Sequence, residues 1–209
     1  QIRIFGPDGD FLGSAGREGE GPGEFQQIRI MGVLGADTLV VLDPFQRRIS
    51  LFHPERGFVS QASIQDEVGM AHFSNGMFQD GSVVFGGGLL SGPGSALPAD
   101  GYSRDPTSYH SVDREGRVAV DFGEFPGPEV FFRTQGGGGE MLVSATVPHF
   151  GKRPLAVARG RQLILGSGDA YELLVFDARG RPTRITRILT PPTRVTGEHL
   201  DALLQERLS

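Results

Sequence analysis

The chain has 209 residues and a formal net charge of −5, with 20 basic and 25 acidic side chains. An acidic balance disfavours nonspecific nucleic-acid binding, in which Lys and Arg neutralise phosphates. The sequence contains no Cys, which excludes a disulfide framework and a Cys-based zinc site, and no apolar run reaches the length of a membrane-spanning helix. Gly is abundant, at 32 residues, so we expect many turns between short strands.

A short pattern recurs four times: an alternating strand, a polar turn that closes on Gly, and a second strand. Gly supplies the positive φ that such hairpin turns need. A small sheet of this kind cannot bury both of its faces alone, and radial stacking of four-stranded sheets in a β-propeller removes that problem. The pattern therefore predicts an all-β propeller of about three and a half to four blades. The glycines that close the four turns are Gly9, Gly57, Gly116 and Gly180.

The predicted blades occupy residues 1–195. The third blade carries two long insertions, and the other blades are more regular. In chain order, the predictions are a half blade at 1–15 and blades at 26–64, 69–123 and 140–190.

The tail at 196–209 changes from a strand period to a helical one. Four leucines fall at the i, i+3, i+4 and i+8 spacing of a single helix face, and Thr196 is a suitable N-cap. We therefore expect a short amphipathic helix, inserted between blades. The leucines are Leu200, Leu203, Leu204 and Leu208.

The stretch DTLVVLDPFQRRISLF consists of a strand, Asp43, a short turn, and then Arg48, Ile49 and Phe52. Together with the preceding linker GREGEGPGEF, it resembles the NHL-type repeats of six-bladed β-propellers in the TolB-like superfamily. The resemblance implies that Asp43 and Arg48 fix the blade around its turn. Residues 149–185 are similar to a blade of bacterial extracytoplasmic propellers, which implies a periplasmic or secreted protein, lipid-anchored in a longer form.

Relatives of this type have six blades, so we expect the present sequence to be a fragment of the full ring. An unclosed ring exposes strand edges and apolar blade faces, which promotes association. The chain is therefore predicted to self-associate. A compact four-bladed ring is the alternative.

Three long segments, 16–25, 86–108 and 124–143, connect strands on one face of the predicted propeller. Long loops in a compact domain are functional or simply variable. Aromatic and Arg side chains are the usual anchors of interfaces, which makes this long-loop face a candidate binding surface. The candidate binding residues on or near it are Tyr102, Arg104, Phe131, Phe132, Arg133, Lys152 and Arg153.

Motifs for catalysis are sparse. No two of the five His have zinc spacing, and no nucleophile elbow or phosphate-binding loop is present. The candidates for a catalytic base are His72 and His149, and His149 with Lys152 and Arg153 could also bind an anion. Asp8, Asp113 and Asp177 recur in the turns, where Asp commonly bonds its own backbone. We expect no metal and no cofactor.

Two functions remain open. The sequence favours a non-catalytic, extracytoplasmic module that binds a protein, peptide or glycan through the long-loop face, without nucleic acid and without a membrane span. The alternative is a propeller hydrolase or lyase with its site at the mouth of the central channel. Converging titratable groups would favour the enzyme, and exposed aromatic and Arg side chains would favour the binding module.

Overall fold

The computed structural model describes residues 1–65, 73–86, 100–137, 140–191 and 193–208. Strands predominate, and within these ranges the single helix lies at the C-terminal end, as predicted. That helix is not long and apolar enough to cross a membrane, and no other helix occurs in the described ranges.

The secondary structure consists of short strands separated by tight turns. In chain order the elements are β1 (Ile2–Phe5), β2 (Phe11–Ala15), β3 (Arg17–Glu18), β4 (Glu24–Phe25), β5 (Arg29–Leu34), β6 (Thr38–Asp43), β7 (Arg48–His53), β8 (Gly57–Ser63), β9 (Phe73–Phe78), β10 (Val83–Gly86), β11 (Gly101–Ser103), β12 (Pro106–Val112), β13 (Val118–Pro126), β14 (Val130–Gly137), β15 (Glu140–Thr146), β16 (Leu155–Gly160), β17 (Gln162–Gly166), β18 (Glu172–Asp177), β19 (Pro182–Arg187) and α1 (Gly197–Leu208).

Four antiparallel units follow one another along the chain. Unit 1 is the hairpin β1–β2, unit 2 is β5–β8, unit 3 is β9, β10, β12 and β13, and unit 4 is β16–β19. The first strands of units 3 and 4, β9 and β16, pair in parallel from Gly76–Ala158 to Phe78–Gly160. This pairing joins units 3 and 4 into one eight-stranded sheet, which curls so that its two halves share a core.

Each unit packs face to face against the next unit in the sequence. Val41 and Phe52 of unit 2 face unit 1, whereas Val40 and Leu42 face unit 3. Val84 of unit 3 faces unit 4 in the same way. Neighbouring residues of a strand point to opposite faces, so a strand covered on both sides has an unbroken apolar run. This explains the continuous apolar segments of β6 and β10.

Unit 4 has one face that the described residues leave open. Leu155 is 72% exposed and Val157 is 50% exposed on β16, and Leu173 of β18, on the same face, is also exposed. The predicted apolar face of α1 is open too, since Leu200 and Leu204 are both about half exposed. Both surfaces are therefore apolar without being buried.

The units can be compared with the predicted segments strand by strand. The strands of unit 1 coincide with the half blade, and unit 2 lies within 26–64. Unit 3 continues to Pro126, beyond its predicted end, and its predicted first residues lie outside the described ranges. Unit 4 begins at Leu155 rather than at 140, because β15 pairs with β14 instead of joining unit 4.

The two long segments near unit 3 are structured, where they are described. β11, β14 and β15 form a separate three-stranded sheet, which we call the platform. The pairing of β11 with β14 joins residues about 30 positions apart, from Gly101–Phe132 to Ser103–Val130. A sequence pattern based on adjacent residues cannot reveal such a pairing.

Candidate functional site

The turn between β12 and β13 is built around the side chain of Asp113. One carboxylate oxygen of Asp113 accepts hydrogen bonds from the backbone N–H groups of Glu115 (3.0 Å) and Arg117 (2.9 Å). The other oxygen accepts from Nε of Arg117 at 3.0 Å. The N–H of Gly116 donates to the Asp113 carbonyl at 3.0 Å, and Gly116 has a φ of 83°. The Asp bonds its own backbone, as the turn pattern predicts.

The turn between β18 and β19 repeats this geometry. Asp177 accepts from the N–H groups of Arg179 (2.9 Å) and Arg181 (3.0 Å), and from Nε of Arg181 (2.9 Å). The backbone N–H of Arg181 is foremost among the groups that hold the pKa of Asp177 below its usual value. Because the two turns match bond for bond, they are copies of one structural device at equivalent places in units 3 and 4.

Unit 2 uses His53 where the later units use Asp. Nδ1 of His53 accepts from the backbone N–H groups of Glu55 (3.1 Å) and Arg56 (3.3 Å), and its Nε2 lies 3.1 Å from a carboxylate oxygen of Asp37. His53 therefore ties the β7–β8 turn to the β5–β6 turn. The sequence signal was present, since His53 occupies the turn position that Asp takes in the later copies.

Asp43 holds two separate backbone segments. One oxygen accepts from the N–H groups of Phe45 (3.0 Å) and Gln46 (3.1 Å) in the turn after β6. The other accepts from Gln26 (2.8 Å) and Gln27 (3.4 Å) in the segment before β5. Asp43 is buried, so its carboxylate depends on these N–H donors rather than on water.

Arg48 organises the glycine-rich linker. Its guanidinium donates to the carbonyl oxygens of Glu20 (2.8 Å), Gly21 (3.2 Å) and Glu24 (2.6 Å). The linker is consequently packed onto unit 2 rather than free to receive a ligand. The other two residues of the motif, Ile49 and Phe52, are buried in the cores on opposite faces of unit 2.

The platform brings together three of the predicted binding residues. Tyr102 and Phe131 are directly opposite in the β11–β14 pair, and their rings meet edge to face with centroids 5.0 Å apart. The guanidinium carbon of Arg133 lies 6.0 Å from the centre of the Phe131 ring. Tyr102 is 76% exposed and Phe131 is half-buried, whereas Phe132 is only 1% exposed and belongs to the packed side of the platform.

Arg104 and Lys152 lie apart from that aromatic group and share one carboxylate. Arg104 binds both oxygens of Asp169, at 2.7 and 3.0 Å, and Lys152 Nζ lies 2.9 Å from Asp169. Arg104 also donates to the carbonyls of Gly127 and Ser167. Hydrogen bonds from Arg104 and then Lys152 hold the pKa of Asp169 well below its usual range. This ion cluster ties the β17–β18 turn to the segments that flank the platform.

The remaining candidates do not converge. His149 is exposed and its ring meets that of Phe150 at 5.2 Å. Arg153 is exposed close to the β17–β18 turn, and His72 lies outside the described residues. Within the described ranges, no group of three or more His, Cys, Asp or Glu side chains is arranged to hold a metal ion.

Comparison with known proteins gives no family. No protein-family model matches the sequence, and a search of curated proteins found no match. Among solved structures, one of a protein described as exported, from Bacteroides fragilis, aligns with a TM-score of 0.37 and 10% sequence identity. The alignment covers 88% of this chain and 65% of that chain, so this chain spans less than two thirds of that protein. A similarity at this level assigns neither a fold family nor a function.

Proposed function

We propose that this chain forms blades of a β-propeller of the NHL type and that it binds a protein, peptide or glycan on its platform, outside the cytoplasm and without catalysis. The arrangement of Tyr102, Phe131 and Arg133 carries the proposal. An exposed ring, a half-buried ring and an exposed guanidinium lie together on a paired sheet.

The serial packing of the units supports the propeller. Each unit is an antiparallel meander or hairpin that packs against the next unit in the sequence, as consecutive blades do. The first strands of units 3 and 4 run parallel to each other, as the first strands of consecutive blades do, and here they also pair directly, so that both units share one sheet. The repeated turns of units 3 and 4 add an internal structural repeat.

The platform residues have the chemistry of an interface anchor. Aromatic and Arg side chains supply large contact areas with polar tips, and they dominate binding energy where they are central to an interface. The edge-to-face contact of Tyr102 with Phe131 holds both rings before a ligand arrives. Such preorganisation lowers the conformational entropy lost on binding. Phe132 supports the platform from the buried side.

The charged groups near the platform favour binding over catalysis. Arg104 and Lys152 neutralise Asp169, and the low pKa of that carboxyl makes it a poor general base near neutral pH. His149 faces Phe150 rather than a carboxylate or hydroxyl. The enzyme alternative therefore gains no catalytic pair from these residues.

The experiment begins with a glycan array and a displayed peptide library, each probed with the folded chain. Ligands found in this way are then titrated against Tyr102→Ala and Arg133→Ala. We expect dissociation constants at least about tenfold weaker, because truncating an interface anchor costs about 2 kcal/mol or more. The melting temperature should stay close to that of the wild type.

Phe45→Ala is the matched control, because Phe45 is an equally exposed aromatic residue in the β6–β7 turn, away from the platform. It should bind the selected ligands as the wild type does. Selected ligands whose affinity survives both platform substitutions would contradict the proposal.

A further inference from the structure

A cleft opens between three hairpin turns of units 3 and 4. Its volume is about 590 Å³, which is in the range of small-molecule sites. The N–H of Gln79 in the β9–β10 turn donates to the carbonyl of Gly160 in the β16–β17 turn at 2.7 Å, which fixes two of its walls. The β18–β19 turn forms the third. The polar side chains that line it include Gln79, Asp80, Arg161, Gln162, Arg179 and Arg181.

This cleft and the platform lie at opposite ends of unit 4. The β17–β18 turn, with Asp169, is tied to the segments beside the platform. The β16–β17 and β18–β19 turns lie at the other end, because successive strands of an antiparallel sheet reverse direction. The cleft is therefore a separate site from the one proposed above.

The cations of the cleft are unequally engaged. Arg181 is held by Asp177, with Nη2 2.8 Å from the carboxylate. Asp80 in turn accepts from the backbone N–H of Ser82 at 2.9 Å. Arg161 and Arg179 are exposed, and no carboxylate among the described residues lies within ion-pair distance of either guanidinium. Within the described ranges, Arg161 and Arg179 thus line the cleft without an ion-pair partner, and with Arg181 they outnumber its two carboxylates, Asp80 and Asp177.

The matching turn of unit 3 shows that the fold does not require this charge. Position three of the turn is Glu115 in unit 3 and Arg179 in unit 4, and the backbone hydrogen bonds of the two turns are alike. Glu115 lies 3.3 Å from Arg117, so the acidic version is compensated within its own turn. The turn therefore folds with either charge at this position. The positive charge occurs in unit 4, whose turn lines the cleft.

We propose that this cleft binds a small anion with at least two carboxylate or phosphate groups, through the guanidinium groups of Arg161 and Arg179. A guanidinium presents paired N–H donors whose spacing fits the two oxygens of a carboxylate or phosphate. The side-chain amides of Gln79 and Gln162 supply donors and acceptors for the neutral part of the ligand. The ion pair with Asp177 fixes the side chain of Arg181, which forms part of the cleft wall.

The test is calorimetric titration of the folded chain with citrate and, separately, with pyrophosphate, at a constant ionic strength set with sodium chloride. The two arms distinguish a carboxylate ligand from a phosphate ligand. We expect saturable binding of at least one anion with a dissociation constant below about 1 mM. Arg161→Gln and Arg179→Glu should each weaken it at least about tenfold, since each removes charge-assisted hydrogen bonds.

Two control variants distinguish specific binding in the cleft from nonspecific electrostatic attraction of anions. Arg184→Gln removes the same charge from β19 but lies outside the cleft lining, next to Thr183 on the opposite face of the strand. Glu115→Arg adds a charge to the equivalent turn of unit 3. Both variants should bind as the wild type does. If circular dichroism shows that Arg179→Glu does not fold, Arg179→Gln is used in its place.

The proposal is overturned if neither anion binds, if Arg161→Gln and Arg179→Gln both bind like the wild type, or if Arg184→Gln weakens binding as strongly as they do. Tyr102→Ala should leave anion binding unchanged, so failure of the platform and failure of the cleft are distinguishable.

Discussion

Units 2 and 4 share the same four-stranded antiparallel layout but differ in what covers them. Unit 2 is packed on both faces, against unit 1 on one side and unit 3 on the other. Unit 4 packs one face against unit 3, and its other face leaves Leu155 and Val157 exposed. Both units carry apolar residues on both faces. Burial is therefore decided by the neighbouring sheet and not by the strand alone.

The two units also use charge differently. In unit 2 the buried Asp43 and Arg48 serve backbone groups of loops that are distant along the chain. In unit 4 the pair of Asp177 and Arg181 stays within one turn and is more solvent-exposed. A buried charged side chain that bonds fixed backbone groups holds the loop against the sheet. An exposed ion pair contributes little to the free energy of unfolding.

The largest difference between the units should appear in core truncations. Phe52→Ala in unit 2 is expected to lower the free energy of unfolding by about 3–5 kcal/mol, because it leaves a cavity between units 1 and 2. Leu155→Ala on the open face of unit 4 should change it by less than about 0.5 kcal/mol. Equilibrium unfolding in urea, at a protein concentration low enough to keep the chain monomeric, measures both. An equally large loss for Leu155→Ala in the monomer would mean that another part of the chain covers this face.

The next largest effect is expected for the two arginines. Arg48→Met should cost about 1–3 kcal/mol, since carbonyl groups of the linker lose a buried donor. Arg181→Met should cost much less, because its ion pair is open to water. Urea unfolding compares the two variants directly. Equal losses would show that the linker carbonyls find water when Arg48 is removed.

Self-association should distinguish the open face of unit 4 from the covered faces of unit 2, with little change in the free energy of unfolding. We expect the chain to associate through the open face of unit 4, because contiguous exposed apolar residues mark contact surfaces. Sedimentation velocity over a range of protein concentrations should show larger species. The double substitution Leu155→Ser, Val157→Ser should return the chain to monomer, and Phe45→Ser, at another exposed site, should not. A wild-type chain that stays monomeric throughout the range contradicts this expectation.

The smallest effect should come from acid, and in unit 4 it concerns two carboxyl groups. Arg104 and Lys152 lower the pKa of Asp169, and hydrogen bonds to Arg181 lower that of Asp177. Both carboxyls therefore stabilise the fold fully above the pKa of an unfolded Asp, about 4, and this contribution is lost as pH falls through the folded-state values. The melting temperature should decrease below about pH 4.

Asp169→Asn is the control for the acid prediction. It should melt at a lower temperature than the wild type near neutral pH, and the gap should narrow in acid, where the wild-type carboxyl becomes protonated. A gap that is the same at every pH would show that Asp169 contributes by packing and not by charge.

The sequence by itself determined the features that depend on neighbouring residues. The turns that close on Gly, the two strands of unit 1, the strands of unit 2 and the C-terminal helix all follow from local periodicity and turn chemistry. Local interactions suffice for these elements because each is complete within a few residues. The sequence also identified the motif residues Asp43 and Arg48 as polar residues around a turn. Asp43 bonds the local turn at Phe45 and Gln46, whereas its bond from Gln26 and the Arg48 bond to Glu20 reach segments 17 and 28 positions away, which the local pattern does not reveal.

Only the tertiary structure decided the features that join distant residues. Arg104 meets Asp169 across 65 positions, and β11 meets β14 across a segment with no pairing signal. In the platform, the adjacent residues Phe131 and Phe132 differ in burial, because successive strand residues face opposite sides of the sheet and only one side is packed. Phe132 is consequently buried while Phe131 stays accessible beside Tyr102.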